Sequence, residues 1–438
     1  MSLYDKMGLL ITPNGVAQSK IFAYKPTNGS GDGVFDRNTT ATRVNSVGLI
    51  ENVAIDMARI DYPTNGSCPH LLFEPQSTNL IKYSEDFNTG WNGQNGNVSD
   101  GGIGLFYLSP LSNVIKYEAT SNPFNQFFYQ LPSSVSSGST YTMSGYIKSN
   151  DTPYIHFQVH PVSSSTFIVW DNDNKNVISS SAGIDSFEIT SLSDGWVKAE
   201  ITFTAATSVP HASLKTYLST SPTNGLSGVS VGVIAYQTFV QLEALPYATS
   251  YIPTNGSAVT RVQDVANNFG DVNTFNSEEG VLFVEMAALD NDLTDRSISL
   301  SSGYYDNRIE LRYNSTSNGV RVFGVVGGFY QFDSGSSINL TDITNQSKIA
   351  LKYKQNDFAL WVNGFEVYSD LLGSTFGQDV LNTLNFSDAQ GSSPLYGKIK
   401  QVQVYKEALT DAELEYLTTY ATFPDLANAN NYNLILNT

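Results

Sequence analysis

Cysteine is nearly absent from this chain of 438 residues: Cys68 stands alone, which excludes an intrachain disulfide and any zinc cage built on several thiolates. Histidine is scarce as well, with only His70, His156, His160 and His211. His156 and His160 fall in the alternating run 154–160, where a period of two puts both on one strand face; they read as an exposed polar face, with a metal pair as the alternative. Basic residues are few, 23 against 41 acidic ones, and the resulting charge of −18 works against a nonspecific grip on phosphates or an anionic membrane. Neither nucleic acid nor membrane insertion is therefore expected. No stretch approaches the roughly 20 apolar residues of a membrane helix. The first residues, Met1 to Met7, lack a basic segment followed by a long apolar run, so no secretory leader is expected.

What the chain does have is aromatic and turn-forming residues. Charged residues make up 15%, hydrophobic ones 41% and aromatic ones 12%, with Gly 34, Tyr 25 and Phe 24, the balance of an all-β protein with a sizeable core. Its length implies two or three domains. Pro-Thr-Asn-Gly occurs four times, from Pro26, Pro63, Pro222 and Pro253; proline fixes φ and Asn-Gly accepts positive φ, so each reads as a tight turn, and the irregular spacing excludes a solenoid.

Short apolar runs broken by turns mark residues 1–80 as an extended N-terminal arm. Strand-like segments with no amphipathic helix between them fill 81–245 and read as a jelly roll. A linker, 246–276, follows; a second β-rich block spans 277–423, and an Asn-rich tail occupies 424–438. Within the second block, Trp361-Val362-Asn363-Gly364 predicts a strand turning through an Asn-Gly hairpin. One helix is predicted near the end: Thr410 and Glu413 fit a capping box, Leu409 and Leu414 a hydrophobic staple, and Leu414, Leu417 and Tyr420 share a face. The fold class is thus all-β: two antiparallel β-sandwich domains, jelly-roll or lectin-like, after an arm, with one short C-terminal helix.

Catalytic signatures are missing. There is no Gly-x-Ser-x-Gly elbow, phosphate loop or dinucleotide fingerprint, and Gly324 to Gly328 reads as a strand-edge turn. Glycoside cleavage needs two carboxylates flanking the bond, and the strand beginning at Val281 offers only Glu285. The chain reads as a non-enzyme. The turn from Asp171 to Asn176 reads as a solvated hairpin tip, with calcium as the alternative.

The stretch from Phe35 to Glu51, then Arg59-Ile60-Asp61-Tyr62, then Leu71 to Leu80 with Tyr83 to Phe87, resembles the N-terminal module of a family of tailed-bacteriophage virion proteins. Tyr141 to Lys148, Gly195 to Lys198, Gln241 to Glu243 and Ala248 to Thr254 continue that resemblance as a carbohydrate-binding-module-like jelly roll. The C-terminal block resembles laminin-G or concanavalin-A-like sandwiches, through Trp361 to Gly364 and Tyr396 to Ile399. The resemblance implies a virion location and a fibre, spike or appendage component, often trimeric. Its partners would be other virion proteins, further copies of itself and host-surface polysaccharide. A receptor-binding lectin at a fibre tip and a polysaccharide depolymerase are the alternatives. It also makes Asp290, Asp292 and Asp295 calcium candidates, against a solvated turn. Trp91, Tyr304 and Tyr305 lie in polar loops and are the candidates for stacking on sugar rings, against packing within the protein. Arg37, Arg43 and Arg59 are candidates for ion pairs that dock the arm in an assembly, against solvated charges.

Overall fold

Strand alternation builds the molecule. The computed structural model describes all residues except 1, 64–67, 86–89, 105, 110–111, 121–126, 131–133, 161–165, 210–212, 224–226 and 420–438. Its architecture is all-β, with antiparallel strand pairing throughout the named strands. The 424–438 tail and Tyr420 lie outside the described residues.

The jelly roll consists of two facing sheets. One runs from Trp91–Gln94 through Phe127–Gln130, Ser213–Ser219, Tyr154–His160 and Thr166–Asp171 to Asn176–Ser180. The other runs from Gly96–Ile103 through Asn113–Ala119, Ile234–Glu243, Thr140–Lys148 and Val197–Thr204 to Ser186–Ser191. Period two sends Met143, Ile147, Phe157, Ile168 and Trp170 into the shared core. The same alternation turns Thr142, Ser144 and Tyr146 outward, opposite Thr202, Glu200 and Lys198 on the neighbouring strand. His156 departs from the exposed polar face expected of it: it is buried between Phe167 and Tyr217, and burial lowers its pKa to about 4. The side chain of His160 and all of His211 lie outside the described residues.

The C-terminal sandwich corrects the expectation of a separate arm. Its larger sheet runs Phe365–Asp370, Phe358–Val362, Ser347–Lys354, Glu279–Ala288, Gly397–Tyr405, and then continues into His70–Phe73 and Arg59–Asp61. Met7–Ile11 pairs along the same free edge of Gly397–Tyr405. Leu9, Leu10 and Ile11 are fully buried, and at roughly 1.5–3 kcal/mol per buried aliphatic side chain this strand contributes far more than a surface ion pair of about 0–1 kcal/mol. The first eighty residues thus complete the second sandwich. Nor is 246–276 a free linker: Val259–Arg261 pairs with Ser77–Asn79, and Val265–Asn267 with Gly33–Asp36. Gly33 is required there, because a Cβ would lie 2.3 Å from the Phe269 ring.

Three arginines lock these crossings from inside. Arg37, Arg59 and Arg261 are essentially inaccessible, as are Glu74 and Asp264. Arg37 donates to Asp264 (3.0 Å) and to the Ala54 carbonyl (2.8 Å), while Arg59 binds both Asp264 and Glu74 (2.6 Å to the latter). Arg261 reaches Glu74 at 2.8 Å and the Pro75 carbonyl at 2.9 Å. Arg43 stands apart, on a surface hairpin with Glu51 at 2.8 Å. The three arginines offered as docking residues are therefore paired within the chain, two of them in its interior.

The helix Asp411–Thr419 forms as expected. Thr410 and Glu413 exchange capping bonds at 2.9 and 3.3 Å, and Leu414 and Leu417 are buried. The Asn363-Gly364 turn has positive φ at both residues, 48° and 91°, as a tight hairpin requires.

Burial alone would raise the Glu74 carboxyl, but Arg261, Arg59 and Ser250 hold it at about 2. A depressed carboxylate stabilises the fold above its unfolded value of about 4.5, and the contribution is lost as pH falls towards 2. Glu243, buried beside the network, is raised instead, so its contribution declines as pH rises through that value. The urea midpoint should drop steeply between about pH 5 and 2, and Glu74→Gln should flatten that drop while lowering the midpoint at pH 7; an unchanged acid slope would place the sensitive group elsewhere. Arg59→Met, which leaves two buried carboxylates short of a partner, should cost about 3–5 kcal/mol by chemical denaturation.

Candidate functional site

The smaller sheet of the C-terminal sandwich carries the site. Its hairpins, Arg296–Ser301 with Arg308–Tyr313 and Gly319–Val326 with Phe329–Asp333, alternate so that Ile298, Leu300, Ile309, Leu311, Val320 and Val322 face the core. The opposite face presents Arg308, Glu310 and Arg312 beside Arg321 and Phe323. Four of the eight arginines in the chain, Arg296, Arg308, Arg312 and Arg321, sit on this sheet.

Two tight tips are tied side by side. Gly327 and Gly328, with φ of 57° and 85°, turn the second hairpin, a conformation that side chains with a Cβ rarely adopt. The Gly328 N–H donates to the Asp306 carbonyl at 2.9 Å and the Gly327 N–H to the Asn307 side-chain oxygen at 3.0 Å. This sets the tip that carries Tyr304 and Tyr305 beside the turn that leads into Phe329 and Tyr330. Tyr304 is 67% exposed, Phe329 75% and Tyr330 55%, and Tyr305 is exposed with its hydroxyl 3.2 Å from Asp388. Large aromatics left in water at adjoining tips form an apolar ledge.

Guanidinium groups frame that ledge. Arg308 lies 5.1 Å from both the Tyr305 and Phe323 rings, and Arg321 lies 4.9 Å from Phe323 and 5.9 Å from Tyr330. Glu310, fully buried beneath them, accepts from Arg308 (3.1 Å), Arg312 (2.6 Å) and the Ser297 hydroxyl (2.6 Å). Asp333 grips Arg321 through two bonds, 2.9 and 2.6 Å; these bonds hold the Asp333 carboxyl below its ordinary range and the guanidinium above its own. The pairing balances three positive with three negative charges once Asp295, 2.7 Å from Arg312, is included. The result is a near-neutral polar frame around flat apolar faces.

Of the stacking candidates, Tyr304 and Tyr305 belong to this ledge and Trp91 does not. Trp91 is only 7% exposed, packs on Phe128 in the jelly-roll core and donates its indole N–H to the Tyr83 carbonyl at 2.7 Å. Sequence reasoning missed Phe329 and Tyr330; the Gly327-Gly328 turn before them was the available signal. The calcium candidates do not converge. Asp292 pairs with Arg296 and Asp295 with Arg312, while Asp290, close to Asp292, lines the cleft beside the jelly roll. Among the described residues no group of three or more potential ligands is placed to hold a metal ion. Asp171 of the hairpin tip caps its own turn, accepting from the Asp173 and Asn174 N–H groups. Glu285 is buried at 2.7 Å from the Gln401 amide, on the strand Glu279–Ala288 of the other sheet.

No family model matches the chain, and no curated protein matches it. Similar solved structures include the CBM40 of the Ruminococcus gnavus IT-sialidase bound to α2,6-sialyllactose, at 21% identity and a TM-score of 0.28 over 32% of this chain and 83% of that one. Domain 4 of AbnA, a GH43 extracellular arabinanase from Geobacillus stearothermophilus, in complex with arabinotriose, is 12% identical with a TM-score of 0.31, covering 39% and 82%. Domains LG4-5 of the mouse laminin α1 chain are 11% identical with a TM-score of 0.21, covering 75% and 94%.

Proposed function

We propose that this chain is a non-catalytic glycan-binding protein whose C-terminal sandwich offers the Tyr304, Tyr305, Phe329 and Tyr330 ledge to saccharide rings. The observation that carries the reading is the convergence of four exposed aromatic side chains on two hairpin tips bonded to each other, framed by arginines whose charge is already matched. Sugar rings present flat C–H faces to aromatic rings and hydroxyls to neighbouring donors and acceptors. Rigid tips lose little conformational freedom on binding. Of the carboxylates beside the ledge, Glu310 and Asp333 are engaged by arginines and Asp388 by the Tyr305 hydroxyl and the Gln390 and Ser392 N–H groups, which favours recognition over acid–base chemistry.

The biological setting in the same proposal is a phage particle, with the chain as a fibre, spike or appendage component that contacts host-surface polysaccharide. The motifs that resemble the phage module support it: Arg37, Arg59 and Glu74 lie in them and belong to the buried junction, so the resemblance falls on a part of the chain strongly constrained by folding.

Tyr330→Ala, and Tyr304→Ala with Tyr305→Ala, should weaken binding to an immobilised oligosaccharide library by about five- to thirtyfold, since stacked aromatic contacts are worth roughly 1–2 kcal/mol, while the thermal midpoint stays within a few degrees. Undiminished binding by these variants would remove the ledge from the reading.

A further inference from the structure

A second recess lies where the jelly roll meets the other sandwich. Its floor is the outer face of the jelly-roll sheet, where Tyr146 stands opposite Lys198 and Ser144 opposite Glu200, with Glu188 beyond Glu200 on the edge strand. Its far wall is made by Tyr247, Leu289, Asp290 and Lys398. The outer chamber measures about 850 Å³ and an inner one about 250 Å³. The chambers share Tyr146, Lys198, Tyr247 and Lys398 as lining and form one two-tiered cleft. That size and position, between domains, suit a ligand larger than one sugar ring.

The polar groups of the cleft are only partly matched by the protein. The Tyr146 ring is fixed against Phe106 (5.0 Å) and Phe239 (6.0 Å), yet its hydroxyl has no hydrogen-bond partner among the described residues. The Lys398 ammonium likewise makes no ion pair or hydrogen bond among them. Asp290 is half-buried with no cation bonded to it; burial, and then Asp292 and Asp342 nearby, raise its carboxyl above the ordinary range despite the Asn291 N–H and the charge of Arg296. Lys198 is paired with Glu200 at 3.0 Å and keeps about a third of its side chain, 31%, accessible. The opposite wall is held in place: Tyr247 lies beside Arg296, and Thr249 and Ser250 are tied to Glu243 and Glu74.

Charges of both signs alternate across this floor and wall. A net anion would meet Asp61, Glu188, Glu200 and Asp290, and a net cation would meet Lys198 and Lys398. A polyhydroxylated molecule without net charge can donate to the carboxylates and accept from the ammonium groups and the tyrosine hydroxyl. We propose that the cleft is a second saccharide site, taking an uncharged oligosaccharide whose hydroxyls bond Tyr146, Asp290 and Lys398. It rests on the glycan-binding reading for the class of ligand, but not on the aromatic ledge.

The test is an immobilised library of neutral, amino-sugar and uronic-acid oligosaccharides, probed with the full chain and its variants and followed by titration of the bound members. Tyr146→Phe keeps the ring packing, and Asp290→Asn keeps the volume, so both should fold with an unchanged thermal midpoint. The expected result is a set of neutral oligosaccharides bound about three- to tenfold more weakly by each cleft variant and normally by Tyr330→Ala, the loss expected for one hydrogen bond. Cleft variants that bind every library member like the parent overturn the second site, and if Tyr330→Ala alone loses binding the ledge still stands. Binding lost only in the cleft variants supports the cleft and removes the ledge. A chain that binds no oligosaccharide overturns both.

Discussion

The buried pairing of Arg37, Arg59 and Arg261 with Asp264 and Glu74 is the constraint on which the rest of the structure depends. These five side chains come from segments far apart in sequence, and Arg59 bonds groups 15 and 205 residues away. Taking such charges out of water is costly by several kcal/mol per ion, and only near-complete pairing and hydrogen bonding offset it. The geometry of each crossing is therefore narrowly specified: a strand displaced by one residue would leave a guanidinium or a carboxylate buried without its partner.

From this junction both the ledge and the cleft inherit their positions. Ser250, which bonds Glu74 and Arg59, lies three residues after Tyr247, so the network that locks the fold also sets one wall of the cleft. Arg59–Asp61 and His70–Phe73 extend the larger sheet of the C-terminal sandwich, and Phe73 stacks on Phe386 at 5.1 Å in the core that backs the smaller sheet. The aromatic ledge thus projects from a sandwich that is complete only when N-terminal strands have joined it. Its own arginines repeat the same device nearer the surface, where Glu310 is buried under Arg308 and Arg312 and accepts from both.

Several features could be read from the residues because their causes are local. The run Thr140–Lys148 alternates, so its inward Met143 and Ile147 and its outward Ser144 and Tyr146 follow from the pleat alone. The Thr410 and Glu413 cap and the Asn363-Gly364 turn depend on three or four neighbours and appear where expected. Tyr304 and Tyr305, beside Gly303 in a polar loop, were identifiable as exposed. Trp91 departs from the same rule, since it opens the strand Trp91–Gln94 with its ring turned inward onto Phe128. Arg37 and Arg59 looked like surface charges because charge on a short, turn-rich segment ordinarily faces water; nothing local announced carboxylates waiting at Glu74 and Asp264.

The sequence by itself determined the all-β class, the hairpins, the terminal helix and the scarcity of metal-binding and catalytic groups, since composition, period two and turn chemistry act over a few residues. Only the tertiary structure decided that the first eighty residues belong to the second sandwich. It also tied the tip carrying Tyr304 and Tyr305 to the turn before Phe329 and Tyr330, gave Asp292 and Asp295 to Arg296 and Arg312, and opened a cleft over Tyr146 and Lys198. Apart from the Asp292 and Arg296 pair, each of these is a meeting of segments separated by tens to hundreds of residues, fixed by strand order and by which buried charge finds which partner. Neither is written in any single stretch of chain.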